Sequence, residues 1–389
     1  MNSSSSLTLS GERFSVWYRL SGTESEALAK AKDICLEQTV EFPESLVPEG
    51  MIRDQILGKI ESFGPTQVQP RLMPDSPQSF TAGISYAVET TGLELTQLLN
   101  VIFGNISIKP GIRVEKLELS PKIYQSFKGP RFGREGLRAM LGIPQRPLLC
   151  TALKPMGLSA VELGDLAYRF ALGGIDMIKD DHGLADQPMA PFTERVERCV
   201  AGVERANRET GRKCCYVPNL TAPADRMIEK AYFAKQAGAG ALLIAPGLTG
   251  FDIMRHIAED DAIGLPIIHH PAFQGSYVIN PESGISHYAL FGQLNRLAGA
   301  DAAIFPNYGG RFSFSRFECQ QIVAGTTEPM GSLREIFPAP GGGMTLEKIP
   351  DMMEVYGREV IFLMGGGLHT HGPDLVENCR YFVKLVEGL

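Results

Sequence analysis

Basic residues are the minority charge: 37 Lys and Arg stand against 44 Asp and Glu, a formal net charge of -7. A surface with that balance does not grip a phosphate backbone, so nucleic acid is excluded as a partner and only small anions held by local groups remain. Long apolar runs are missing as well. No stretch of about 18 apolar residues occurs, and the opening MNSSSSLTLSGERF lacks a basic-then-apolar leader, so a cytoplasmic protein with no membrane partner is expected. The seven cysteines are scattered and show no C-x-x-C spacing, which argues against a disulfide framework and against a zinc knuckle. Cys214 and Cys215 read as strand core. Apart from the opening serines there is no low-complexity tract.

What is abundant is the material of a large core with many tight turns: 44% hydrophobic residues, 42 Gly and 26 Pro in 389 residues. That length suits an α/β barrel of about 250 residues plus a smaller module. From residue 148 onward short apolar strands alternate with amphipathic helices, the pattern of a parallel sheet. The strands are PLLCTALKP, IDMIKDD, KCCYVPNLT, ALLIAPG, LPIIHHPAF, DAAIFPN, EIFPAPGGG and EVIFLMGGG, enough to close a (β/α)8 TIM barrel. Residues 1–127 read instead as an N-terminal α+β domain of the ferredoxin-like kind. SVWYRL, PRLMPD, FTAGISYAVE and KLELSP are its strands, with ESEALAKAKDICLEQT and LELTQLLNVIFG its helices. The barrel domain is expected over 128–389, with KGPRFGREGLRAMLG linking the two.

Polar residues gather at the C-terminal ends of the barrel strands, where such barrels carry their chemistry: Lys154, Lys179, Asp181, Asn219, His270 and Asn307. GGIDMIKDDHG, residues 173–183, is the richest segment. Residues two apart on a strand share a face, so Lys179 and Asp181 point into the barrel mouth together, with His182 just beyond. On spacing alone, a buried salt bridge of Lys179 with Asp180 or Asp181 is an equal reading. A metal reading needs an oxygen on the lysine, which a carbamate formed with carbon dioxide supplies; with Asp181 it suits a hard divalent cation such as magnesium. Asn219 serves equally as a helix cap or a substrate contact, and His369 and His371 read as structural or surface residues.

GGIDMIKDDHG resembles the GGLDFTKDDE segment of RuBisCO, and the likeness continues along most of the chain. The resemblance implies a magnesium site made of Lys179 as carbamate, Asp181 and, in place of the family's glutamate, His182. LLCTALKPMGLS is similar to the segment whose lysine handles protons at the enediolate carbon, a role that falls on Lys154; a second family lysine is absent, with Met156 near its place. FGN and LEQTVEFP resemble the segments that reach across a dimer interface, which places those roles on Asn105 and Glu37 and implies a homodimer with shared active sites. IIHHPAF gives His270 the strand-five histidine role, but the phosphate-binding arginine after it is Pro271. In DAAIFPNYGGRFSFS a phosphate-binding histidine is replaced by Ile304 and the mobile-loop lysine by Arg311. APGGG and MGGG align with two phosphate-cradling turns, Gly341, Gly342 and Gly343, with Gly365, Gly366 and Gly367, whose N–H groups can approach an anion closely.

The chain is thus identified as similar to the RuBisCO-like proteins, form IV of the family, without the residues a ribulose bisphosphate carboxylase needs. With one anion corner lost and one kept, a small sugar-derived substrate with a single phosphate is expected, processed through an enolate. The first expectation is 3-oxo-isoapionate 4-phosphate, by decarboxylation or by carboxyl transfer and hydrolysis, because both Asn105 and Lys154 are retained. Against it, Pro271, Phe273, Ile304 and Phe305 make the emptied corner apolar. The alternatives are the methionine-salvage activities, 5-methylthioribulose-1-phosphate isomerase or 2,3-diketo-5-methylthiopentyl-1-phosphate enolase. A non-catalytic regulatory descendant, its metal site spoiled by His182, is a further alternative.

Overall fold

A computed structural model describes residues 9–66 and 78–388. In chain order its strands are β1 (Arg13–Ser21), β2 (Lys59–Pro65), β3 (Ser79–Ala87), β4 (Ile112–Glu118), β5 (Leu148–Leu153), β6 (Met177–Asp180), β7 (Cys215–Val217), β8 (Leu242–Ile244), β9 (Ile267–His269), β10 (Gly284–Ile285), β11 (Ala302–Pro306), β12 (Phe337–Gly341) and β13 (Ile361–Leu363). They divide between two compact units, residues 1–127 with 275–290, and residues 128–274 with 291–389.

The first unit is a five-stranded sheet in the order β10-β4-β1-β3-β2. β1 is antiparallel to both β3 and β4, with Trp17 opposite Gly83 and a register shift between Trp17 and Tyr18 on the β4 side. Its alternation buries Phe14, Val16, Tyr18 and Leu20 on one face. The buried Tyr18 hydroxyl donates to Ile102 O at 2.7 Å, which ties the sheet to the helix Leu95–Phe103. The helix Glu24–Glu37 starts with a capping box between Thr23 and Glu26. PRLMPD lies outside the described residues. β2, KIESFGP, is a strand that the alternation did not reveal, because as the sheet's outer strand it has no buried face. Residues 275–290 join this unit through the parallel pairing of Gly284 and Ile285 with Arg113 and Val114. The Arg113 guanidinium also donates to Asn280 O at 2.5 Å.

The second unit contains all eight expected barrel strands, in two four-stranded parallel sheets, β13-β5-β6-β7 and β12-β11-β9-β8. Leu243 N–H to Pro218 O and Leu220 N–H to Leu243 O, both 2.9 Å, join β7 to β8. β12 lies directly against β13, since a Cβ at Gly341 would sit 2.9 Å from the Leu363 side chain. Cys150, Met177, Val217, Leu243, Ile268 and Ile304 fill the interior. The helix Gly133–Leu141 is more than a link: its Leu137 and Leu141 belong to the same core cluster. All seven cysteines are buried thiols, as the strand-core reading of Cys214 and Cys215 requires. Among the described residues no helix is long and apolar enough to cross a membrane.

Candidate functional site

β6 carries the centre of the site. Its two-residue period turns Met177 and Lys179 inward, where Lys179 caps a narrow apolar cavity lined by Cys150, Val217, Ile268, Ile304 and Ala339. Burial in that setting, with Lys154 nearby, pushes the Lys179 amine below its ordinary basicity. Its Nζ donates to the Asp180 carbonyl at 2.9 Å. The salt bridge that the spacing left open is made elsewhere. Asp180, facing the opposite way, is fully buried against Arg195, whose Nε lies 3.1 Å from Oδ2. It also accepts from Tyr216 Oη at 2.7 Å and from Asn219 N–H at 2.9 Å. Burial raises the Asp180 carboxyl despite Arg195.

Asp181, one residue past the strand, pairs with Lys154 from the end of β5, Nζ to Oδ2 2.8 Å. The ladder explains this, because Ala152 is opposite Lys179 and Leu153 opposite Asp180, so Lys154 and Asp181 follow in register. Burial raises the Asp181 carboxyl, but the hydrogen bonds from Lys154 and from Gly183 N–H outweigh it and hold the group below its usual range. His182 Nδ1 is 3.4 Å from Asp181 Oδ1, and its ring stacks on His270 at 4.4 Å and 13°. Burial, then the positive charges of Lys179, Lys154 and Arg311, lowers the His182 imidazole even against Asp181. His270 is lowered further, mainly by burial, and its Nδ1 accepts from Ala272 N–H at 3.1 Å. Lys154, Lys179, Asp181, His182 and His270 therefore come together at the ends of β5, β6 and β9.

The glycine turns adjoin one another, since a Cβ at Gly367 would meet Met344 O at 2.5 Å. Gly342 and Gly343 have φ of +86° and +84°. Arg311 N–H donates to Gly342 O at 3.3 Å, so the loop after β11 lies on the first turn. Around Gly365 and Gly366 the space is open. Of the residues expected to line the emptied anion corner, Ile304 is buried in the barrel interior, whereas Phe305, next along the strand, faces the other way and meets the edge of Tyr356 at 6.1 Å. Glu37 and Asn105 belong to the first unit, where Asn105 Nδ2 donates to Glu37 Oε1 at 3.0 Å. His369 meets the edge of Phe170 and His371 stacks on Tyr381, in keeping with structural roles.

Sequence reasoning missed two supports of the site. Arg195 reads as one basic residue of an amphipathic helix, yet it has no exposed surface, and it also donates to the Ala190 and Ala185 carbonyls. Asn219, left between cap and substrate contact, does not cap the next helix, which starts after Pro223: its Nδ2 holds the carbonyls of His182 at 3.0 Å and Leu184 at 2.9 Å. The one available signal was its place at the end of β7, beside the KDD strand.

The donor set fits a divalent cation. A lysine amine whose basicity is lowered by burial is the form better suited to add to carbon dioxide, and a carbamate there with Asp181 would give two hard oxygen donors, to which His182 would add a nitrogen. Among the described residues no group of three His, Cys, Asp or Glu is placed to hold a metal ion, so this site depends on an oxygen donor supplied through Lys179.

Residues 134–310 match the family described as ribulose bisphosphate carboxylase large chain, catalytic domain. The chain is 38% identical to the 5-methylthioribulose-1-phosphate isomerase of Rhodospirillum rubrum, over 97% of each chain. It is 36% identical to ribulose bisphosphate carboxylase-like protein 1 of Rhodopseudomonas palustris, over 96% of this chain and 98% of the relative. The crystal structure of a Rubisco-like protein from Rhodopseudomonas palustris superposes with a TM-score of 0.84 at 34% identity, covering 96% of this chain and 97% of the other.

Proposed function

The chain belongs to the ribulose bisphosphate carboxylase large-chain family as a RuBisCO-like protein, and from that premise we propose that it is an enolate-forming isomerase of a singly phosphorylated ketose with a thioether end. The observation that carries the enolate chemistry is the convergence of Lys154, Lys179, Asp181 and His182 on one carboxylate-centred site. The substrate class rests on Pro271 and Ile304, which leave one end of the site without an anion-binding side chain. A relative of nearly equal length that is named for 5-methylthioribulose 1-phosphate supports the same choice.

Lys179 as carbamate, Asp181 and His182 would hold the divalent cation, magnesium in the family's usual practice. When bound, the cation polarises the ketone and offsets the negative charge that develops on its oxygen. Lys154 takes the proton from the hydroxyl-bearing carbon beside the ketone and returns it to the former carbonyl carbon, while that hydroxyl's proton passes to the former ketone oxygen, so the carbonyl moves by one carbon. The turns at Gly341–Gly343 and Gly365–Gly367 receive the phosphate on backbone N–H groups, with Arg311 contributing charge beside them. His270 is placed to hydrogen-bond a substrate oxygen. Asn105 and Glu37 act in trans in a homodimer.

A second reading has its own support: Lys154 and Asn105 are retained as in the carboxylases, which suits a β-keto acid such as 3-oxo-isoapionate 4-phosphate. Proton NMR of purified protein with magnesium and bicarbonate decides between them. Conversion of 5-methylthioribulose 1-phosphate to an isomer, lost in Lys179→Ala and Asp181→Ala, is the expected result. Consumption of 3-oxo-isoapionate 4-phosphate instead would replace this reading with the second. Inertness toward both, with no divalent ion bound in calorimetry, would identify a non-catalytic descendant.

A further inference from the structure

Three large apolar side chains stand exposed on the loops that follow β5, β9 and β11, the strands whose ends carry Lys154, His270 and Arg311. Met156, 50% exposed, follows Lys154, and its Cε lies 2.9 Å from where a Cβ on Gly183 would be, beside His182. Phe312, 50% exposed, follows Arg311 and covers Gly342. Phe273, 72% exposed, comes three residues after His270, whose ring stacks on His182.

Phe273 is the unusual one. Its φ is +68°, a left-handed conformation that glycine and asparagine adopt readily and a bulky aromatic residue resists. The surrounding structure imposes it. Gln274 N–H closes the turn onto Pro271 O at 3.0 Å, and Ala272 N–H is held by His270 Nδ1. The Gln274 side chain is fully buried and bonded to His269 Nε2 at 2.7 Å. Beneath the turn a Cβ at Gly247 would come 2.5 Å from Ala272 O, so that side cannot relax. A turn fastened at both ends thus drives an aromatic ring outward at a cost in stability, next to the residues that hold the site. Strain of this kind is characteristic of positions where the side chain has a binding task.

We propose that Phe273 determines substrate specificity, receiving the apolar thioether end of the substrate, with Met156 and Phe312 completing an apolar rim. This rests on the isomerase reading above. A ring with this exposure also offers a surface to a second copy of the chain, an occupant that the same experiment tests.

The experiment compares kcat/KM for 5-methylthioribulose 1-phosphate and for 5-deoxyribulose 1-phosphate, which has hydrogen in place of the methylthio group. Wild type, Phe273→Gly and Phe273→Asn are assayed as full chains, with melting temperature and sedimentation measured on the same samples. Wild type should favour the thioether by about 10- to 100-fold, the range that a small apolar group earns in a pocket. Both variants should reduce that ratio about tenfold, mainly through KM. Phe273→Gly should melt about 1–3 °C higher as the strained φ is relieved. An unchanged ratio in both variants, with wild type still preferring the thioether, overturns the role of Phe273 and leaves the isomerase reading standing. So does a loss of dimer with the ratio retained, which assigns the ring to the second copy. A lower melting temperature in Phe273→Gly overturns the strain argument. Wild type that turns over neither compound removes the isomerase reading itself, and this proposal with it.

Discussion

Lys154 and Asp181 share a hydrogen bond of 2.8 Å, so the side chain assigned to move a proton sits on the carboxylate assigned to hold a cation. The two roles are therefore in competition before substrate arrives. A cation held by Asp181 would take the place of Lys154 on that carboxylate, and Lys154 would then lose its ion-pair partner.

Lys154→Met removes that competitor. Cation affinity should rise about 2- to 5-fold, the effect of losing a half-exposed ion pair, while isomerisation falls by about 100-fold or more. Calorimetric titration with magnesium and a turnover assay on the same preparation check both. A weaker affinity in the variant would show that Lys154 supports the cation site instead of opposing it.

His182 brings an imidazole where its family has a carboxylate, and softer ions gain from that exchange. Manganese should bind more tightly than magnesium in the wild type. His182→Glu should raise magnesium affinity by about tenfold or more, the gain given by about 1.4 kcal/mol of added attraction. Equal magnesium affinities in the two proteins would place His182 outside the coordination shell.

Asp180 and Arg195 form a fully buried pair. Arg195→Met leaves a carboxylate in the interior with only Tyr216 and Asn219 as partners, at a cost of about 3–5 kcal/mol in urea unfolding. Adding Asp180→Asn to that variant should recover part of the loss. No recovery would mean that Arg195 stabilises chiefly through the Ala185 and Ala190 carbonyls.

Asp301 accepts from Phe132, Gly133 and Ile267 N–H groups, yet burial wins and lifts its carboxyl from 3.8 to about 6. The folded value exceeds the unfolded one, so its contribution to stability is fully present below about pH 4 and is lost as pH rises through about 6. Wild type should lose about 2–3 kcal/mol from this group over that window, and Asp301→Asn should lack that slope. Urea unfolding of both proteins at pH 4.5 and 7.5 measures it; parallel pH profiles would refute the shift.

The barrel was legible because each strand is a short apolar run closed by glycine or proline, and the Lys179–Asp181 face because strand parity is a local property. What escaped was non-local. The burial of Arg195 depends on Asp180 from another element, and Asn219 acts on the loop after a different strand. β2 has no buried face to produce alternation. Residues 275–290 lie in the middle of the barrel sequence, and only non-local contacts, among them their pairing with β4 and the bond from Arg19 to Pro281 O, assign them to the first unit. The pairing of Lys154 with Asp181, in contrast, follows from the strand register once β5 and β6 are recognised as neighbours.

That late pairing has a bearing on how the protein is made. β4 ends at Glu118, but its parallel neighbour at Gly284–Ile285 leaves the ribosome only after most of the barrel has been translated. β5 likewise awaits β13, with Leu148 opposite Ile361 near the end of the chain. At ~5–20 residues per second, each of these sheet edges stays open for on the order of ten to forty seconds. The nascent chain therefore presents two unsatisfied β-edges at once for much of its synthesis, and shielding them falls to whatever holds the chain as it emerges.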